Sequence, residues 1–80
     1  MKLLVAVLSD TQANGAVEAL LEAGWRVTRL STTGGLLRQG NTTLMIGVED
    51  EDVEKVLEVV RQRAPGALAV VLPLERYERV

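Results

Sequence analysis

Between residues 25 and 48 the chain reads WRVTRLSTTGGLLRQGNTTLMIGV, with three arginines, five threonines, four glycines, one asparagine and no acid. Of the nine basic residues in the chain three fall here, while all eleven acids lie elsewhere. A local excess of positive charge in a chain of net charge −2 favours an anionic ligand. Inside the stretch, glycines let the backbone come close to a ligand, and the threonine hydroxyls and the Asn41 amide offer neutral hydrogen bonds. This is the chemistry of binding a small polar molecule. Gly34 and Gly35 read equally as turn chemistry between two strands, and the residues by themselves leave both readings open. Their spacing matches neither the dinucleotide fingerprint nor the phosphate-binding GxxxxGK[ST], and no helix follows them directly.

Composition narrows the rest. With no histidine the commonest general base and transition-metal ligand are absent, and with no cysteine there is no disulfide framework or thiol chemistry. Neither an enzyme nor a metal or cofactor site is expected. A net charge of −2 with no basic helix or aromatic platform argues against nucleic acid. The apolar opening is broken by Ser9-Asp10, too short for a signal-peptide core and far below the ~20 residues of a membrane span. The expectation is a cytoplasmic protein without a membrane partner. One Trp, one Tyr and no Phe mean an aliphatic core, and a domain of 80 residues buries only about 60% of its unfolded surface, so association with further copies is a natural remedy.

The elements that must position the stretch follow from periodicity. Residues 2–8, KLLVAVL, form a continuous apolar run with β-branched members and read as a central strand. Ser9-Asp10-Thr11 supplies helix-capping side chains for a first helix over 11–23, which Gly24 ends. Residues 25–31 read as a strand on which Arg26 and Thr28 share one face, Trp25 and Val27 the other, and Arg29 is parted from Arg26. Trp25 is expected in the core. A returning strand over 42–48 is bracketed by Asn41 and Gly47. Glu49-Asp50-Glu51-Asp52 opens a second helix carrying Val53, Val56, Leu57 and Val60, which Pro65-Gly66 stops, and residues 67–72 form the last full strand. The order defines one α+β domain over residues 1–80. It is a ferredoxin-like βαββαβ sandwich, a four-stranded antiparallel sheet with two helices on one face. The other face also needs cover, because the buried-type strands carry apolar side chains on both sides.

The run R-x-T-x-L-x-T-T-G-G-L-L-R-x-G-N-T-T, from Arg26 to Thr43, resembles the signature of the cyclic di-AMP receptor family, a PII-like group of signal-transduction proteins. The similarity extends from Lys2 to about Arg63 and resumes from Ala67 to Val80. It implies a non-enzymatic homotrimer that binds a nucleotide second messenger, cyclic di-AMP, in clefts between subunits, with an unidentified protein as a possible downstream partner. On that resemblance Arg26 pairs with a phosphate, Thr28 and Asn41 hydrogen-bond phosphate or base edges, and Gly35 offers its backbone amide. Gly47 lets the ligand approach the strand, and Leu36 and Leu37 cover an adenine face. Departures from the family pattern are Leu36 where Phe is common, Val70 where an aromatic is frequent, and Ala64-Pro65-Gly66 in place of a long insertion. These departures motivate the alternative of a structural or protein-interaction trimer that has lost nucleotide binding.

Overall fold

The computed structural model describes residues 1–30, 40–76 and 78. Its elements are β1 (Lys2–Ser9), α1 (Asp10–Glu22), β2 (Thr28–Leu30), β3 (Asn41–Val48), a single 3₁₀ turn (Asp50–Asp52), α2 (Val53–Arg63) and β4 (Leu68–Pro73). The strands form one antiparallel sheet in the order β2-β3-β1-β4, with both helices packed on one side. This is the ferredoxin-like βαββαβ arrangement that the order of elements predicts. β1 is a central strand, and it pairs with β3 from Lys2↔Val48 to Ser9↔Asn41 and with β4 from Lys2↔Pro73 to Val7↔Leu68.

Strand alternation sorts the side chains. Leu4, Ala6 and Leu8 of β1 and Leu44, Ile46 and Val48 of β3 are buried against Ala13, Ala16 and Leu20 of α1 and Val56 and Val60 of α2. Each large aliphatic side chain buried in this layer contributes ~1.5–3 kcal/mol. Trp25 and Val27 pack at the margin of the same core, as the sequence predicts for Trp25. α1 ends in a Schellman motif: the Trp25 N–H donates to the Leu20 carbonyl at 3.1 Å and the Gly24 N–H to the Leu21 carbonyl at 3.0 Å. Gly24 takes φ +98°, the left-handed conformation that only glycine adopts without strain.

Four boundaries differ from the sequence reading. Among the described residues β2 pairs over Thr28–Leu30 and starts later than residue 25, because Trp25 closes the helix cap and turns into the core instead of continuing the ladder. Ser9 occupies the N-cap position but makes no capping bond through its side chain; its hydroxyl is engaged with Gln12 and Thr11. Asn41 and Gly47 lie within β3 and do not bracket it, since β1 pairs with β3 along its whole length. The acids at 50–52 form a 3₁₀ turn that leads into α2, with Arg61 and Arg63 in the last turn against the opposite pole of the helix dipole.

The sheet face away from the helices carries Leu3, Val5 and Val7 of β1, Met45 of β3 and Leu68, Val70 and Leu72 of β4. All six residues of β4 are exposed, with Leu68 at 62%. Nothing in the described chain covers this apolar face.

Candidate functional site

Thr28 pairs with Met45 and Leu30 with Thr43, so Thr28 and Leu30 lie on the same open face as Asn41, Thr43, Met45 and Gly47. Arg29 pairs with Leu44 and therefore points to the helix side, where its Nη1 donates to Asn14 Oδ1 at 2.6 Å. The separation of Arg29 from Thr28 is thus a consequence of strand parity. Arg26 is exposed and precedes the first paired residue of β2; continuing the register of that ladder sets it opposite Gly47.

The predicted site residues fall at two ends of one face. Arg26, Thr28 and Gly47 belong to the end of the β2–β3 hairpin remote from the glycine-rich segment. Asn41 opens β3 at the other end, paired with Ser9. Six residues of extended chain separate Asn41 from Gly47, about 20 Å at ~3.4 Å per residue. No single phosphate or base can touch both in one protomer. Gly35, Leu36 and Leu37, together with Arg38, lie outside the described residues, as does Tyr77.

The Asn41 end is built by α1. The Asp10 N–H donates to the Gly40 carbonyl at 2.8 Å, and the Thr42 hydroxyl donates to Asp10 Oδ1. One residue at the start of α1 therefore fixes the positions before and after Asn41. Thr42 is buried on the helix side, so this bond also satisfies a hydroxyl that would otherwise be orphaned in the core. Its neighbour Thr43 faces the open side at 6% exposure, and its Oγ1 has no hydrogen-bond partner among the described residues.

Beside Asn41 a groove of about 340 Å³ opens between the end of β1, the first turn of α1 and the crossover from α2 to β4. Ser9, Gln12 and Asn41 are its polar lining, and Val7, Ala67 and Leu68 its apolar walls. The crossover itself is a tight turn in which the Ala67 N–H donates to the Ala64 carbonyl at 3.0 Å and Gly66 takes φ +88°. Sequence reasoning missed Ser9 and Gln12 as members of this site. Ser9 was legible only as a cap, and nothing in local sequence indicates that residues 9, 41 and 66 meet.

Among the described residues no group of three or more acids, histidines or cysteines could hold a metal ion, and no helix is long and apolar enough to cross a membrane. The Asp50 carboxyl titrates below its ordinary value because the N-terminal ammonium, 3.1 Å away, hydrogen-bonds it and adds its charge, with a smaller contribution from Lys2. It lies at the helix-entry end of the sheet and is not part of the groove.

The chain is thus a ferredoxin-like α+β domain in which Ser9, Gln12 and Asn41 gather at a loop stem beside an open, largely apolar sheet face. Residues 1–75 match the cyclic-di-AMP receptor family, and the chain belongs to it. The family is one of receptors, which points to binding and signalling. A solved structure from Pediococcus pentosaceus, described as a functionally unknown protein, is 37% identical with a TM-score of 0.84, over 99% of this chain and 96% of that one.

Proposed function

We propose that this protein is a cytoplasmic, non-enzymatic receptor that binds cyclic di-AMP in clefts between the subunits of a homotrimer. Membership of the cyclic-di-AMP receptor family carries the reading. The open face supports the assembly: Leu68, Val70 and Leu72 beside Leu3, Val5 and Val7 form an apolar surface that a second and third copy would cover. The division of the polar residues supports a shared site. Arg26, Thr28 and Gly47 of one subunit would meet the Asn41 end of its neighbour, with Gly35, Leu36 and Leu37 contributed by the glycine-rich segment. Arg26 would pair with a phosphate, and Thr28 and Asn41 would donate to phosphate or base edges. Gly47 offers no side chain to obstruct the ligand.

Calorimetry and thermal-shift measurements with cyclic di-AMP, cyclic di-GMP, ATP and AMP test the reading. A ligand at a hundred times its dissociation constant adds ~2.7 kcal/mol of stability, a rise in melting temperature of roughly 10–20 °C for a domain of this size. The expected result is a shift with cyclic di-AMP and sedimentation as a trimer. A trimer that no nucleotide stabilises identifies a structural or protein-interaction module instead. A monomer at micromolar concentration overturns the shared cleft.

A further inference from the structure

The groove beside Asn41 is at the lower end of the ~300–1,000 Å³ typical of small-molecule pockets, so it has room for part of a cyclic dinucleotide. Among the described residues no lysine or arginine lines it, and the acid Asp10 stands at the adjoining start of α1. Both features disfavour a phosphate and favour an uncharged portion of the ligand. We propose that this groove receives one adenine of cyclic di-AMP, read along its edge by the side-chain amides of Gln12 and Asn41 and flanked by the short crossover. The inference rests on the receptor reading above and deepens it by assigning a base site and a specificity-determining residue, Gln12.

The hydrogen bonds around Gln12 give its amide a direction. The Ser9 hydroxyl donates to Gln12 Oε1 at 3.0 Å, and Thr11 Oγ1 lies 3.0 Å from the same hydroxyl. With Oε1 engaged, the Nε2 donors are directed away from Ser9 and make no hydrogen bond among the described residues. Asn41 is held from both sides, through the Gly40 carbonyl and the Thr42 hydroxyl, by Asp10. Its amide is therefore set on a fixed stretch of backbone before any ligand arrives, which lowers the ordering cost of binding.

Adenine presents at one edge an amino donor beside a ring-nitrogen acceptor, the pattern that carboxamides recognise. Gln12 Nε2 donates to the ring nitrogen and Asn41 Oδ1 accepts from the amino group. Guanine places a carbonyl where adenine has its amino group, so Asn41 Oδ1 would face another acceptor. Discrimination of roughly 5- to 150-fold against guanine follows from one well-made pair of this kind. Val7, Ala67 and Leu68 supply apolar area for the ring faces, and Leu68 is exposed enough in the single chain to gain from being covered. The crossover that lacks a long insertion thereby acquires a role as a wall.

The test titrates ¹⁵N-labelled protein with cyclic di-AMP, cyclic di-GMP and inorganic phosphate, and measures affinities of the parent, Gln12→Leu and Gln12→Glu by calorimetry. Expected are shifts of the Gln12 side-chain amide and the Gly66 and Ala67 backbone amides with cyclic di-AMP but not with phosphate. Cyclic di-GMP should bind more weakly by the factor above. Both variants should weaken cyclic di-AMP by about 2- to 12-fold, the loss of one neutral hydrogen bond, at an unchanged melting temperature. Should one variant fail to fold, the other and the parent's resonances still decide. If the parent binds cyclic di-AMP while those resonances stay still and both variants bind as tightly, the base lies elsewhere and the receptor reading survives. Shifts there with inorganic phosphate overturn the base assignment in favour of an anion site. A parent that binds no nucleotide overturns both.

Discussion

Asp10 and Thr42 offer a clean test of how the Asn41 end is held. Thr42 is 2% exposed, whereas Asp10 is solvent-exposed. Replacing Asp10 by Ala leaves the Thr42 hydroxyl buried without its acceptor, a desolvation cost of ~1–3 kcal/mol. It also removes the acid from the first turn of α1, worth a further ~0.3–1 kcal/mol. Thr42→Val behaves differently, because it deletes the buried hydroxyl along with its need for a partner and returns the Asp10 carboxylate to water. Its cost should stay within about 1 kcal/mol. In a Thr42→Val background Asp10→Ala should then cost only the helix-dipole share, giving a coupling of ~1–3 kcal/mol between the two positions. Urea denaturation of the four proteins at one fixed protein concentration measures this, since association would make apparent stability concentration-dependent. In thermal melts the Asp10→Ala single variant should lose on the order of 10 °C. An equal cost of Asp10→Ala in both backgrounds would refute the argument and leave the Thr42 hydroxyl satisfied by something else.

The two arginines of the hairpin should part company: Arg26→Ala lowers cyclic di-AMP affinity roughly tenfold or more through loss of a charge-assisted bond, while Arg29→Ala leaves it unchanged, as calorimetry can show. Losing the exposed Arg29–Asn14 bond should change stability by less than ~1 kcal/mol. Val70→Asp places a charge in the middle of the open apolar face; sedimentation should show the assembly dissociating, and an unaltered trimer would exclude that face from the interface. Asp50 has a folded-state pKa below its unfolded value, so its contribution is present above the unfolded value and fades as pH falls through the lowered one. Asp50→Asn should therefore destabilise at neutral pH, with the difference from the parent vanishing in strong acid; a difference independent of pH would contradict the ion pair with the N-terminus.

Local rules made the elements legible. The continuous apolar run at 2–8 fits, by its length, a strand with two faces to bury better than a helix, and it is the inner strand flanked by β3 and β4. Gly24 after an apolar helix period marked a Schellman end, and Pro65-Gly66 marked the stop of α2, because positive φ and a missing N–H are properties of single residues. The opposite parity of Thr28 and Arg29 was readable for the same reason: a strand alternates with period two whatever surrounds it. Where β2 begins was not readable. Trp25 has a strand-forming side chain, but it gains more by packing against the core at the close of the helix cap.

What the sequence alone determined, then, was the order of elements, the polar stretch and its resemblance to a receptor family. Tertiary structure decided which of those residues are neighbours. Pairing of β1 with β3 in the register Ser9↔Asn41 brings the start of α1 to the loop stem, and pairing of β1 with β4 brings the crossover at residues 65–67 to the same corner. The same long ladder carries Gly47 about 20 Å from Asn41. Those contacts join segments thirty and more residues apart, and the chain specifies them only through the burial of Leu4, Ala6, Leu8, Leu44 and Ile46 against two helices. A hydrophobic core fixes register collectively, so no short window of sequence contains the groove that its folding creates.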